Sequence, residues 1–133
     1  MPDKWYRLNA GAVYSLKYHL VWCPKYRRSV LVGMVADRLK ELLTEKAKEM
    51  GAVIHSLEVM PDHVHLFVES DPTQAPTRIV AQFKGYTSKV LRGEFSNLRS
   101  RLPTLWSRSY FVGSIGSVTA SAVQHYIESQ KGK

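Results

Sequence analysis

Two runs rich in β-branched and apolar residues, Val53 to Met60 and His63 to Glu69, are separated by Pro61-Asp62 alone. Two residues leave room for a tight turn and nothing else, so two strands meeting there lie antiparallel as a hairpin. A lone hairpin is marginal in water, so the rest of the chain must pack on it. From Ala12 to Cys23 the residues alternate, with Tyr14, Leu16, Tyr18, Leu20 and Trp22 on one side and Val13, Ser15, Lys17, His19 and Val21 on the other. This predicts one long strand, ended by Pro24. Between it and the hairpin, Val35, Leu39, Leu42, Leu43, Ala47 and Met50 recur at helical spacing over 35–50, with Gly51 as the C-terminal stop.

After Ser70-Asp71-Pro72 a second helix is expected from about Gln74 to Leu91, burying Ile79, Val80, Phe83, Val90 and Leu91, stopping at Gly93 and basic on its other face. Residues 94–108 show no regular pattern, Ser109 to Ser114 read as a short strand, and Val118 to Gln130 as a last helix capped by Ser117 or Thr119. No repeat, low-complexity tract or linker interrupts the series, which predicts one domain over residues 1–133. The order defines an α+β chain of the ferredoxin-like (RRM-like) βαββαβ type: an antiparallel sheet with helices on one face, the other face open, and an extra C-terminal helix. Such a fold serves many functions and selects none.

Charge narrows the partners. The chain carries 19 Lys and Arg against 11 Asp and Glu, a formal net charge of +8. The excess falls in residues 1–31 and 71–101, whereas 32–70 are net acidic. Lys25, Arg27 and Arg28, with Lys84, Lys89 and Arg92 on the second helix, are the candidates for phosphate contacts, since each neutralised phosphate releases a counterion. The alternative for each is a solvated surface cation. One cysteine, Cys23, excludes a disulfide framework, and no apolar run reaches the ~18 residues of a membrane span. A cytoplasmic protein without a membrane partner is expected.

In His63-Val64-His65-Leu66-Phe67-Val68-Glu69 the strand period of two sends Val64, Leu66 and Val68 to one side and His63, His65, Phe67 and Glu69 to the other. With the aliphatic side on the helices, two imidazoles project from the open face about 7 Å apart along the strand, within reach of one divalent ion. A bare His-x-His is equally read as two partly buried, hydrogen-bonded histidines. In the last helix, Tyr126 and Gln130 are four residues apart and so share one face, carrying a phenol and an amide oxygen as a unit. Read alone, this pair is a core tyrosine and a solvated glutamine.

Taken together, Met60-Pro61-Asp62-His63-Val64-His65-Leu66 and, some sixty residues later, Tyr126-Ile127-Glu128-Ser129-Gln130 resemble the single-tyrosine HUH transposases of bacterial and archaeal insertion sequences, the TnpA type. The resemblance extends over Trp22 to Arg27, Phe83-Lys84-Gly85 and Trp106 to Gly113, so it covers nearly the whole chain. It implies that His63, His65 and Gln130 bind Mg²⁺ or Mn²⁺, and that Tyr126, on a catalytic C-terminal helix, attacks single-stranded DNA to give a 5′-phosphotyrosine and a free 3′-OH. It also implies recognition of DNA hairpins at element ends, and a homodimer in which the helix of one subunit completes the histidine pair of the other. Ile115-Gly116-Ser117 offers the hinge for such a helix. Two alternatives accompany this reading. One is a related HUH hairpin-processing nuclease or replication initiator. The other is a non-catalytic ferredoxin-like module that binds single-stranded nucleic acid.

Overall fold

The computed structural model describes residues 7–9, 12–14, 16–114 and 120–133. Strands β1 (Arg7–Asn9) and β2 (Ala12–Tyr14) pair with each other as a two-stranded ribbon. A four-stranded antiparallel sheet follows, built from β3 (Leu16–Trp22), β4 (Val53–Met60), β5 (His63–Ser70) and β6 (Phe111–Ser114) in the order β4-β5-β3-β6. Helices α1 (Gly33–Met50) and α2 (Pro76–Glu94) cover one face. A six-residue α3 (Ser96–Arg101) and the C-terminal α4 (Ala120–Ser129) complete the elements. The chain is therefore α+β with the expected sheet. Among the described residues no helix is long and apolar enough to cross a membrane.

The alternation seen in the sequence sorts the faces. Leu20 and Trp22 of β3 and Val64, Leu66 and Val68 of β5 are buried against Val35, Leu39, Leu42 and Leu43 of α1 and Ile79, Val80 and Phe83 of α2. Trp22 stacks on Phe83 and meets the edge of Trp106, whose indole N–H donates to the buried Thr87 hydroxyl at 3.0 Å. Helix α1 stops where expected, with Gly51 in the left-handed conformation at φ 73°.

Four expectations need correction. The alternating run from Ala12 is divided between two sheets, because its first three residues find a partner in Arg7–Asn9, a strand the sequence did not suggest. Helix α2 begins at Pro76, whose fixed φ suits a first turn, and it runs through Gly93 to Glu94. Its last turn is held from outside: Arg38 of α1 donates twice to the Glu94 carboxylate, at 2.9 and 3.0 Å. Thr87, not Val90, fills the fully buried position, since its hydroxyl is satisfied by Phe83 O and Trp106. Residues 96–101 are helical, with Leu98 as the one buried apolar anchor, too few for a periodic signal. The proposed caps Ser117 and Thr119 and the hinge Ile115-Gly116-Ser117 lie outside the described residues.

Candidate active site

Directly opposed residues of an antiparallel ladder project to the same side. Val21 faces His65 on β5 and Phe111 on β6, while His19 faces Phe67. The sheet face away from the core thus carries His19, Val21, His63, His65, Phe67 and Phe111. Helix α4 rests on this face. Val123 and Ile127 bury themselves against Val21, with Phe111 and Tyr126 at the margin, so the face expected to be open is partly roofed.

His63 sits at the start of β5, where its Nδ1 lies 2.9 Å from Asp62 Oδ1. A carboxylate only accepts, so Nδ1 carries the proton and the Nε2 lone pair is left for an electrophile. Asp62 also pairs with Arg27 at 3.4 Å, and Arg27 donates to the Ile127 carbonyl of α4 at 3.3 Å. Arg27 and Tyr26 both take left-handed backbone angles, φ 53° and 61°, a conformation costing roughly 1–2 kcal/mol per non-glycine residue. That turn aims the guanidinium so that it ties the histidine strand to the tyrosine helix.

His65 is flanked on both sides. Its Nδ1 is 3.5 Å from Glu58, opposite it on β4, and its Nε2 is 3.0 Å from Nδ1 of His19. Burial holds the His65 imidazole below its ordinary value, reinforced by the neighbouring His19. Burial does the same to His19. Both rings are neutral near pH 7, the form that ligates metals. Further along, a bulge in β4 at His55 turns that ring towards Glu69 of β5, a buried carboxylate 2.8 Å away.

Tyr126 and Gln130 are brought together by a residue the sequence reading passed over. Ser109 Oγ donates to Gln130 Oε1 at 2.7 Å, and because it has one proton, the Tyr126 hydroxyl donates to it at 2.9 Å. Burial pushes the Tyr126 phenol up to about 12, against a lowering by the Ser109 bond, so it is neutral at physiological pH. Its ring lies 6.0 Å from Phe111. Phe111 and His65 are two interstrand spacings apart, roughly 10 Å across the sheet. Among the described residues no hydrogen bond joins Tyr126 or Gln130 to His63 or His65, and no three His, Cys, Asp or Glu side chains form a finished metal cage. Imidazoles backed by carboxylates nonetheless suit a divalent ion.

The six basic candidates divide. Arg27 is engaged by Asp62 and Ile127, Arg92 donates to Leu102 O at 2.9 Å, and Lys84 donates to Ser107 O at 2.6 Å and Ser109 O at 3.1 Å. Lys25 and Arg28 lie over the Tyr26 ring, and Lys89 is exposed. Lys25 also joins Arg108 and Lys133, two cations not singled out from the sequence, around an open cleft of about 360 Å³ that Ser109 and Gln130 line as well.

Lys84 therefore braces the loop that carries Ser109, and burial holds its ammonium down to about 8. The native state prefers it neutral, so between pH 8 and its ordinary 10.5 the unfolded chain binds more protons and native stability rises with pH. Lys84→Met will lack this rise. Chemical denaturation at pH 7.5 and 10.5 should show the wild type gaining on the variant by on the order of 1 kcal/mol, after allowance for a side chain still partly in water. Parallel pH profiles would contradict it.

Residues 12–130 match the IS200-like transposase family, a class of DNA-processing enzyme. The chain belongs to that family and is a transposase, which sets aside the non-catalytic module. It is 42% identical over 125 residues to the ISDra2 transposase TnpA of Deinococcus radiodurans, covering 92% of this chain and 89% of that one. It is also 29% identical over 119 residues to the transposase for insertion sequence element IS200 of Salmonella typhimurium, covering 88% and 78%. A crystal structure described as that of a transposase from Deinococcus radiodurans R1 superposes with a TM-score of 0.87 at 37% identity, over 96% of this chain and 99% of that one. A REP-associated tyrosine transposase bound to a REP hairpin shares the fold, with a TM-score of 0.56 at 13% identity, over 91% and 69%.

Proposed function

We propose that this transposase cuts and rejoins single-stranded DNA through Tyr126, with His63, His65 and Gln130 as the ligands of a divalent ion, Mg²⁺ or Mn²⁺, and that it acts on hairpins at the ends of its element. The observation that carries the reading is that one sheet face bears both the imidazole pair and the helix of the tyrosine and glutamine. The bound ion would supply Lewis-acid polarisation of a non-bridging phosphate oxygen. Asp62 and Glu58 hold the two imidazoles that would bind the ion. The Tyr126 oxygen forms a bond to phosphorus and gives up its proton to water. The bond from phosphorus to the 3′ oxygen breaks, and that oxygen departs as a 3′-OH. The product is a 5′-phosphotyrosine of similar energy to the original ester, so a second 3′-OH can reverse the step on a new strand without ATP.

Incubation with a hairpin oligonucleotide carrying a single-stranded flank, in the presence of Mn²⁺, should yield a covalent protein–DNA adduct that chelation prevents. Cleavage with no adduct would remove tyrosine catalysis from the proposal. Hairpin affinity should also fall with salt. Four neutralised phosphates correspond to a loss on the order of a hundredfold between 50 and 200 mM, measured by fluorescence anisotropy. A flat response would contradict a phosphate-holding role for Lys25, Arg28, Arg108 and Lys133. A homodimer with shared sites belongs to the same proposal, supported by the distance across the sheet between Tyr126 and the histidines of its own chain.

A further inference from the structure

We infer that the groove running from α2 to the C-terminal end of α4 seats the single-stranded flank of the DNA, with its backbone phosphates on Lys25, Ser107 and Arg108. The inference deepens the reading of the chain as a single-strand transposase and rests on it. Two open clefts, of about 410 and 360 Å³, share those three residues and so form one channel. The first reaches Gly85 and Ser88 of α2, the second Ser109 and Gln130. The channel therefore ends beside Ser109, which accepts from Tyr126. No Asp or Glu lines either cleft, and among the described residues neither Lys25 nor Arg108 has a carboxylate partner. Uncompensated cations around a concave polar lining select an anion. A duplex is convex across its width, whereas a single strand can lay successive phosphates along such a channel.

Ser107 is the second, independent sign of a ligand. The residue is 3% exposed, and its Oγ is buried without a hydrogen-bond partner. Buried hydroxyls are nearly always satisfied, so an unsatisfied one in the wall shared by two clefts marks a donor kept for an external acceptor. A turn about its Cα–Cβ bond presents it to the channel. Burial raises the Tyr126 phenol and the nearby Ser107 hydroxyl acts the other way, which sets that acceptor next to Tyr126. The wall itself is fixed. Ser107 N donates to Cys23 O at 3.0 Å, Lys25 N donates to Leu105 O at 2.8 Å, and the Lys84 ammonium donates to the carbonyls of Ser107 and Ser109. Lys84 is thus spent on the frame and leaves phosphate to Lys25 and Arg108. Donors held in place before the strand arrives need little ordering when it binds.

The test measures binding by fluorescence anisotropy, without divalent ion, of a hairpin with a single-stranded flank and of the same hairpin without it. With no metal present the result is independent of the adduct assay, whose failure would count against the tyrosine reading alone. Ser107→Ala should bind the flanked hairpin about tenfold more weakly and the unflanked one as the wild type does. It should melt no lower than the wild type, since the hydroxyl it removes bonds to nothing. Gly85→Glu, at a position where a Cβ meets nothing within 4 Å, places a negative charge in the channel without disturbing the fold and should also weaken flank binding. Lys25→Gln/Arg108→Gln should lower the slope of log affinity against log salt by about 1.4, two single-strand phosphates at about 0.7 each, and Lys40→Gln on α1 should leave it unchanged. A neutral methylphosphonate at one flank position should reproduce the Ser107→Ala loss and add nothing to it in combination. Wild-type flank binding by both Ser107→Ala and Gly85→Glu would overturn the proposal, as would equal losses on the two hairpins, which would place the stem in the channel instead.

Discussion

Tyr126→Phe will abolish the covalent adduct with hairpin DNA and reduce strand cleavage at least about a thousandfold, while hairpin affinity stays within about twofold. The substitution removes one oxygen and little else. The phenyl ring keeps its place beside Phe111 and α4 keeps Val123 and Ile127 on Val21, so the helix remains docked. Ser109 loses the phenol as a donor but retains Gln130 as an acceptor, a change worth about 1 kcal/mol of stability. Near-wild-type melting together with a dead enzyme is thus the expected combination, read by denaturing gel and thermal unfolding. An adduct that persists at wild-type level would assign the nucleophile elsewhere, and Tyr110, the neighbour of Ser109, would be the first position for mass spectrometry to examine.

The core and its layers were legible because burial has a period. Val64, Leu66 and Val68 alternate along β5, and Leu39, Leu42 and Leu43 recur along α1, so strand and helix followed from spacing. Where one apolar residue anchors an element, as Leu98 does in α3, spacing carries no information. The boundaries that moved did so through long-range bonds. Arg38 holds the last turn of α2 from fifty-six residues away, and no local signal around Gly93 could register it. The site shows the same division. Tyr126 with Gln130, and His63 with His65, are local motifs, visible as pairs on one helix face or one strand face. Their partners are joined only by folding: His19 reaches His65 across a strand pair, Ser109 reaches Tyr126 and Gln130 from the loop before β6, and Arg27 meets Asp62 through two left-handed residues. Asp62 stood beside His63 throughout, but a residue following a proline in a tight turn gives no sign that it will accept from the next side chain. The charge pattern was the least informative. Arg27, Lys84 and Arg92 were as basic as any other candidate, and whether a cation faces solvent or a backbone carbonyl is decided by packing.

If two chains share their active sites as proposed, a second large effect follows. His63→Ala/His65→Ala should cleave at background level, as should Tyr126→Phe, yet a heterodimer of the two should recover about half of the wild-type rate per dimer, since one of its two sites would be whole. In that dimer the tyrosine and Gln130 of the chain lacking His63 and His65 would meet the intact histidine pair of the other. If instead each helix served its own chain, neither site would be whole and the mixture would stay silent. The geometry favours the first outcome. Within one chain Tyr126 and Gln130 are both turned to Ser109 on the β6 side of the sheet, while His63 and His65 lie on β5 beyond β3. Because the two side chains stand one turn apart on the same helix, a single displacement of α4 would deliver the proposed nucleophile and ligand together, and delivery to a neighbouring chain would link cleavage to dimer assembly. Differently tagged chains, purified through both tags so that only heterodimers remain, make the measurement decisive: cleavage of a labelled hairpin at about half the wild-type rate supports sites completed in trans, and its absence from verified heterodimers would require α4 to swing across its own sheet.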